Sequence, residues 1–135
     1  MGAMQKLKGL LTNHSETREN HADEELRSRY YKITNKNAIK TLQDLFQKME
    51  GVMVKSVSEE HGEIAVQITK GKKAFIVVTV ISVRPFETAV DFSATTDTKI
   101  LPFDFGYSRQ LIKQMYDRID KSMTYIGSGL NSESK

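Results

Sequence analysis

The turn from Asp104 to Arg109 contains the residue types that best fit ligand binding. Gly106 can adopt backbone angles that other residues resist, and the apolar spacing of a helix begins directly after it. Free N–H groups at the start of a helix attract anions, so Arg109 in the first turn needs a neutralising partner. Either Asp104 pairs with Arg109 and locks the turn, or an external anion binds there. The sequence favours the pair; the alternative is an anion site formed by Thr96, Thr98, Lys99, Asp104, Gly106, Ser108 and Arg109.

The segment from Thr96 to Arg109 resembles the signature of an uncharacterised bacterial domain family. That signature reads Ser-x-Ser-Arg, a short spacer, and then Asp-Leu-Gly-x-Asn-Arg at the start of a helix. The positions that match in residue type are Thr96, Thr98, Lys99, Asp104, Gly106 and Arg109. Ser108 stands where Asn is usual, and Leu111 stands where a second Arg is usual. The family has no established activity, so the resemblance implies a similar order of helix, strands and final helix but no particular function.

A short basic cluster, Lys70-Gly71-Lys72-Lys73, is the second candidate for binding. Together with Arg84 it could contact the phosphates of a nucleic acid, and the net charge of +3 is compatible with that role. Acidic residues are interspersed with basic ones along the chain, however, whereas nucleic-acid-binding proteins concentrate positive charge on one face. A solvated hairpin loop is therefore the favoured interpretation, and nucleic acid is disfavoured as a partner.

The remaining polar residues show no catalytic or metal-binding spacing. His14, His21 and His61 have no ligand residue at i+4 and form no HxH or HExxH motif. The chain has no cysteine, which excludes disulfides, thiolate zinc sites and a cysteine nucleophile. We therefore predict no catalytic residue, no metal site and no cofactor.

Asp91 is the acidic residue that is hardest to assign from the sequence. It lies between Val90 and Phe92 in a predicted strand, so its side chain points away from the apolar set. We expect Asp91 to be exposed at an edge, and a functional role would make it the partner of Lys99 or Arg84 in a cleft.

The elements that must position these residues follow from the apolar spacing. One helix is predicted before Gly51 from residues at helical spacing: Ala38, Ile39, Leu42, Leu45, Phe46 and Met49. A second helix is predicted from another such stripe: Leu111, Ile112, Met115, Tyr116, Ile119, Met123 and Ile126. One strand is predicted near Tyr30, and four more lie between Val52 and Ala94 with the short turns of an antiparallel meander. The strand over residues 75–83 is apolar on both faces, which predicts a central strand covered on both sides or at one end.

These elements predict an α+β domain in the order β-α-β-β-β-β-α, with an antiparallel sheet and two helices packed on one of its faces. The length of 135 residues suits one domain, which we place at residues 27–126. Residues 1–26 are predicted to be a mobile N-terminal arm whose first three residues precede a natural start at Met4. Residues 127–135 are predicted to be a mobile tail. No apolar run approaches the roughly 18 residues of a membrane span, and we expect a cytoplasmic location.

The sequence leaves three functions open. The favoured one is a non-enzymatic cytoplasmic adaptor or regulatory domain that binds another protein, with a homodimer through a sheet edge as one form of that contact. The second is a module for a small anionic ligand, with or without enzymatic activity, whose site is at the start of the last helix. The third and weakest is nucleic-acid binding through the basic hairpin at residues 70–73.

Overall fold

The computed structural model of the chain describes residues 14–97 and 106–129. Within them a seven-stranded antiparallel sheet contains β1 (His14–Glu16), β2 (Arg29–Tyr31), β3 (Val52–Ser58), β4 (Glu63–Ile68), β5 (Ala74–Arg84), β6 (Glu87–Thr96) and β7 (Tyr125–Ser128). The two helices, α1 (Asn35–Lys48) and α2 (Tyr107–Ser122), pack on one face of the sheet. This architecture confirms the predicted α+β class and the predicted order of the main elements.

The sheet is built around β5 and β6. Its strands follow the order β3-β4-β5-β6-β2-β7, and β1 pairs with β6 on the same side as β2. The strands from β3 to β6 are consecutive and form the predicted meander. β1 and β2 lie end to end along the same edge of β6. The chain pairs with β6 as β1, leaves the edge after that strand, and returns to pair with β6 again as β2. The excursion, residues 18–27, is called the edge loop below.

Helix α1 begins after Thr34 and ends before Gly51, the glycine that the sequence places after it. The hydroxyl of Thr34 accepts a hydrogen bond from the backbone N–H of Asn37, which satisfies a free donor in the first turn. Gly51 follows the helix with a φ of 77°, a left-handed conformation that suits glycine. The buried residues of the helix are Ala38, Ile39, Leu42 and Phe46, and Leu45 is partly buried beside them.

The core lies between the helices and the face of the sheet that they cover. Side chains alternate along a strand, so every second residue of a strand points toward the helices. On β5 the residues on this side are Ala74, Ile76, Val78 and Val80, all buried. Tyr116 of α2 donates a hydrogen bond to the carbonyl of Val90 at 2.6 Å, and its ring meets the ring of Phe92 edge to face. Helix α2 is thereby fixed to the centre of the sheet.

The predicted mobile arm is wrong for residues 14–26. β1 pairs with residues 93–95 of β6, and Leu26 packs in the core. The buried polar side chains of the segment are Ser15, Thr17, His21 and Asp23. Apolar spacing could not reveal this segment because hydrogen bonds between polar side chains hold most of it. Residues 1–13, the rest of the predicted arm, lie outside the described residues.

The predicted end of the second helix is also wrong. α2 ends at Ser122, and Ile126 belongs to β7, which pairs with β2. Ile126 follows Ile119 by seven residues, so it fits the helical stripe by spacing alone. The domain therefore continues past residue 126, and of the predicted tail only residues 130–135 lie outside the described part. No helix in the described part is long and apolar enough to cross a membrane.

Candidate functional site

The side of the sheet opposite the helices, here called the open face, is the candidate functional surface. In the described part of the chain neither helix packs on it. β5 crosses the middle of this face and presents Phe75, Val77, Thr79 and Ile81 there. Phe75 and Ile81 are each 47% exposed, and Met53 of β3 is 49% exposed. Met53 lies two strands from Phe75, and Ile81 lies six residues along β5 from it, so exposed apolar side chains are spread over this face, which favours contact with another apolar surface.

Cross-strand pairing arranges the residues of the open face in rows. One row contains, from β3 to β1, Met53, Gln67, Phe75, Thr95 and His14. The next row contains Ser56, Ala65, Val77, Ser93 and Glu16, and the register shift in β3 leaves Lys55 beside Ser56. Charged side chains stand at the ends of this second row, and Ala65 and Val77 are the apolar residues between them. An apolar centre with a polar rim is the usual organisation of a protein–protein interface.

A cavity of about 550 Å³ opens at one end of the open face. Its lining residues are Gln67, Lys73, Ala74, Phe75, Thr95, Thr96 and Asp97. Lys73 and Asp97 bring opposite charges to the cavity, so the lining has no excess charge that would select an anion. The cavity extends the apolar surface of Phe75 and does not form a separate charged site.

The sequence predicted that β5 is covered on both faces or at one end, and the structure differs from that prediction. Apolar residues on both faces predicted a strand covered on both sides or at one end, whereas the described residues cover only its helix side along the middle of the strand. Phe75 and Ile81 therefore lie half exposed on a strand at the centre of the sheet. The pattern that predicted a second covering layer is also the signal that could have pointed to this face as a candidate surface.

The edge loop bounds the open face on one side, and Asp91 holds the ends of the loop together. Its Oδ1 accepts hydrogen bonds from the hydroxyls of Thr17 at 2.6 Å and Ser28 at 2.5 Å, the residues that flank the loop. Burial raises the pKa of Asp91, and the two hydroxyl hydrogen bonds partly offset that rise. The expected exposed position is therefore wrong. Arg84 pairs with Glu87 instead of Asp91.

The edge loop contacts both sides of the sheet. On the side of the open face, Glu19 accepts a hydrogen bond from the hydroxyl of Tyr30, whose side chain is fully buried. On the helix side, Asp23 and Glu25 accept hydrogen bonds from Arg109. Compact loops whose ends lie close together are stable units in themselves, and here polar contacts on both sides fix the loop around the sheet edge.

We predict that Asp91→Asn leaves the protein at least as stable as the wild type near neutral pH. The amide oxygen accepts the same two hydroxyl hydrogen bonds, and the cost of a buried charge disappears. Because the pKa of Asp91 is raised in the folded state, its contribution to stability is present below the unfolded pKa and is lost as the pH rises through the folded pKa. The advantage of the variant should therefore grow with pH and then level off.

Thermal melts from about pH 4 to pH 8 measure this difference. Asp91→Ala is the matched comparison, since it removes the oxygen that accepts both hydrogen bonds and should lower the melting temperature. An Asp91→Asn variant as unstable as Asp91→Ala would show that the carboxylate itself, and not its two hydrogen bonds, holds the loop.

Arg109 has internal partners, which differ from the predicted one. Its Nε and Nη2 donate to the two oxygens of Asp23 at 2.5 and 3.2 Å, and Nη2 also donates to Glu25 at 2.9 Å. The hydrogen bond to Asp23 is the main reason that the pKa of Arg109 is raised. Burial would raise the pKa of Asp23, but the hydrogen bonds from Arg109 and from the backbone of Glu25 lower it overall. Asp104, the predicted partner of Arg109, lies outside the described residues. The described partner that fastens Arg109 is Asp23.

The other residues of the predicted anion site are dispersed or lie beyond the described ranges. Thr98 and Lys99, like Asp104, are outside the described residues. Thr96 is buried and lines the cavity near Phe75. Ser108 is buried, and its hydroxyl hydrogen-bonds to that of Ser15 in β1. Gly106 adopts a left-handed conformation, with a φ of 85°, directly before α2. The ligand-binding role of this set stays a prediction.

The basic residues of the hairpin face several neighbours. Lys70 pairs with Glu50 at 2.7 Å, and Lys72 lies 5.7 Å from the centre of the Tyr107 ring. Lys73 is exposed at the cavity beside Phe75, and Arg84 pairs with Glu87. These contacts distribute the basic side chains over different neighbours, so they form no continuous positive surface among the described residues.

The three histidines take structural positions. His14 and His61 hydrogen-bond to Thr95 and Ser58, respectively. His21 is buried in the edge loop, and its Nδ1 accepts a hydrogen bond from the backbone N–H of Asp23. Burial and the nearby Arg18 lower the pKa of His21. Within residues 14–97 and 106–129, no group of three His, Asp or Glu side chains is arranged to hold a metal ion.

Comparison of the sequence with models of known protein families finds no match, and comparison with curated proteins finds none. The resemblance to the bacterial domain family therefore stays a prediction, and the function has to be inferred from the geometry of the open face.

Proposed function

We propose that this protein is a protein-binding domain and that the open face of its sheet is the recognition surface. One observation carries the proposal: the central strand β5 presents Phe75 and Ile81 half exposed on a face that no described helix covers. Burying a half-exposed side chain of this size contributes on the order of 1 kcal/mol. Phe75, Ile81 and Met53 together can therefore support a specific contact of moderate strength.

The charge pattern favours a protein over the alternative partners. An anionic ligand needs a cation without a partner, yet Arg109 is already bound by Asp23 and Glu25. A nucleic acid needs a continuous positive surface, and Lys70 and Arg84 each pair with a carboxylate. The open face instead combines apolar side chains along β5 with charges of both signs around them, which suits the surface of another protein.

The same surface supports a finer proposal. A small domain that binds through one sheet face fits an adaptor or regulatory domain of the cytoplasm. Its function is then to hold a partner, and its activity is measured as binding.

The test replaces the exposed apolar residues with charged ones. We expect Phe75→Glu and Ile81→Glu to abolish capture of the binding partner from extracts of the native host, because a buried unpaired carboxylate opposes the contact. Gln47→Glu, which adds the same charge on the exposed side of α1, is the matched control and should capture the partner as the wild type does.

Circular dichroism melts of all variants check that the fold is intact. The proposal predicts melting temperatures within a few degrees of the wild type and loss of capture only in the open-face variants. Equal capture by folded Phe75→Glu, Ile81→Glu and wild type would place the binding surface elsewhere.

A further inference from the structure

We propose that the partner of the open face is a second copy of this chain, with two sheets packed face to face around a two-fold axis that runs along β5. This inference rests on the proposed function, because it assigns an occupant to the same surface. Face-to-face packing of two sheets with nearly aligned strands is a common arrangement, and its layers lie about 10 Å apart.

The size of the open face suits a reversible dimer. Five strands, β3, β4, β5, β6 and β1, lie side by side across it. At about 4.8 Å between strands and about 3.4 Å per residue, the face measures roughly 24 Å by 20 Å. Two such faces bury on the order of 1,000 Å² once they meet, which is near the lower limit for a specific interface. We therefore expect a dimer that dissociates on dilution.

The position of β5 makes the surface self-complementary. β5 is the middle strand of the five, so a two-fold axis along it exchanges β3 with β1 and β4 with β6. Each row of the face then meets the same row of the second copy in reverse order. Phe75 meets Phe75, Val77 meets Val77 and Ile81 meets Ile81, so the apolar residues of β5 lie along the axis of the interface.

Charges at the ends of one row become complementary under this symmetry. Lys55 stands at the β3 end of the row through Val77, and Glu16 stands at its β1 end. Lys55 forms no ion pair with any of the described residues, and Glu16, 56% exposed, lies 3.8 Å from the ring of His14. The two-fold axis brings Lys55 of each copy toward Glu16 of the other, which gives two intermolecular ion pairs.

The same symmetry also predicts one unfavourable contact. Glu63 of β4 and Asp91 of β6 both pair with Thr79 of β5, so they lie at equal distances on either side of the axis. In the dimer each Glu63 approaches Asp91 of the other copy, and the like charges repel. Glu63→Gln should therefore strengthen the dimer, an effect that dimerisation through a sheet edge would not produce.

The first test uses the absence of cysteine from the chain. A single cysteine introduced by Val77→Cys, or by Thr79→Cys if the first variant does not fold, lies close to the axis in both copies. A short bismaleimide, which bridges two thiols across the layer spacing, should link these variants into covalent dimers. Gln47→Cys on α1 is the control and should remain monomeric under the same treatment.

The second test measures self-association of the full chain by sedimentation equilibrium. Lys55→Glu and Glu16→Lys should each weaken the dimer about two- to tenfold, and the double reversal should restore it. Phe75→Glu should leave only monomer. A wild type that stays monomeric at every concentration, or a dimer that persists in folded Phe75→Glu, overturns the inference. Capture of a different protein through Phe75 would then leave the proposed function standing.

Discussion

Replacing Arg109 with alanine should destabilise the fold by about 3–5 kcal/mol, because it leaves a buried carboxylate without its partner. The side chain of Asp23 is only 4% exposed, and that of Arg109 is 19% exposed. Arg109 also binds Glu25, so its loss removes the two shortest ion pairs between the edge loop and α2. Chemical denaturation of the wild type and of Arg109→Ala at neutral pH measures the difference.

Two comparisons make this prediction specific. Lys113→Ala removes a neighbouring cation of α2 whose pairs are exposed, and it should cost less than about 1 kcal/mol. Because the pKa of Asp23 is lowered in the folded state, the stability that its pair contributes is present above its unfolded pKa and is lost as the pH falls through the folded pKa. The cost of Arg109→Ala should therefore shrink in acid. A neutral-pH cost equal to that of Lys113→Ala would contradict the role of Arg109 in fastening the loop.

Ile112→Ala should cost roughly 2–5 kcal/mol, since it opens a cavity in the centre of the core. Ile112 is fully buried between α2 and the sheet. Leu45→Ala is the matched comparison: Leu45 is only partly buried at the margin of α1, so its loss should cost about half as much. Denaturation curves give both values. Equal costs at the two positions would show that the assignment of the core centre is wrong.

Periodic apolar spacing was sufficient to predict most of the fold. Leu42 and Phe46 repeat at helical spacing, and Ile64, Val66 and Ile68 alternate as strand residues do, so α1 and the meander follow from local pattern. The burial of such residues can be predicted from the sequence, because an apolar side chain packs against any apolar neighbour and needs no specific partner. The sequence therefore identifies elements whose stability comes from hydrophobic packing.

The edge loop could not be predicted in the same way. Thr17, Ser28 and Asp91 recognise one another by hydrogen bonds, and their partners are more than sixty residues apart along the chain. Polar residues with this composition are equally typical of a mobile segment, and only the fold shows that they meet. The partner of Arg109 was missed for the same reason, since Asp23 lies in that segment and the nearer Asp104 offered a local alternative.

The sequence showed which residues of β5 are apolar but not that one face of the strand is left exposed. The apolar residues on both sides of β5 were visible in the sequence, but a second covering layer within the chain explained them equally well. The fold distinguishes the two, because both helices lie on the side of Val78 and leave Phe75 and Ile81 exposed in the described residues.

Site-specific photo-cross-linking from position 75 identifies directly what the open face contacts. A photoreactive phenylalanine analogue in place of Phe75, in the full chain expressed in its native host, should give a covalent adduct of defined mass on illumination. An adduct at twice the mass of the chain would identify a second copy, and any other defined mass would identify another protein. The same analogue at Gln47 on α1 should give none. Adducts at Gln47 with none at Phe75 would contradict the claim that the open face is where this protein binds its partner.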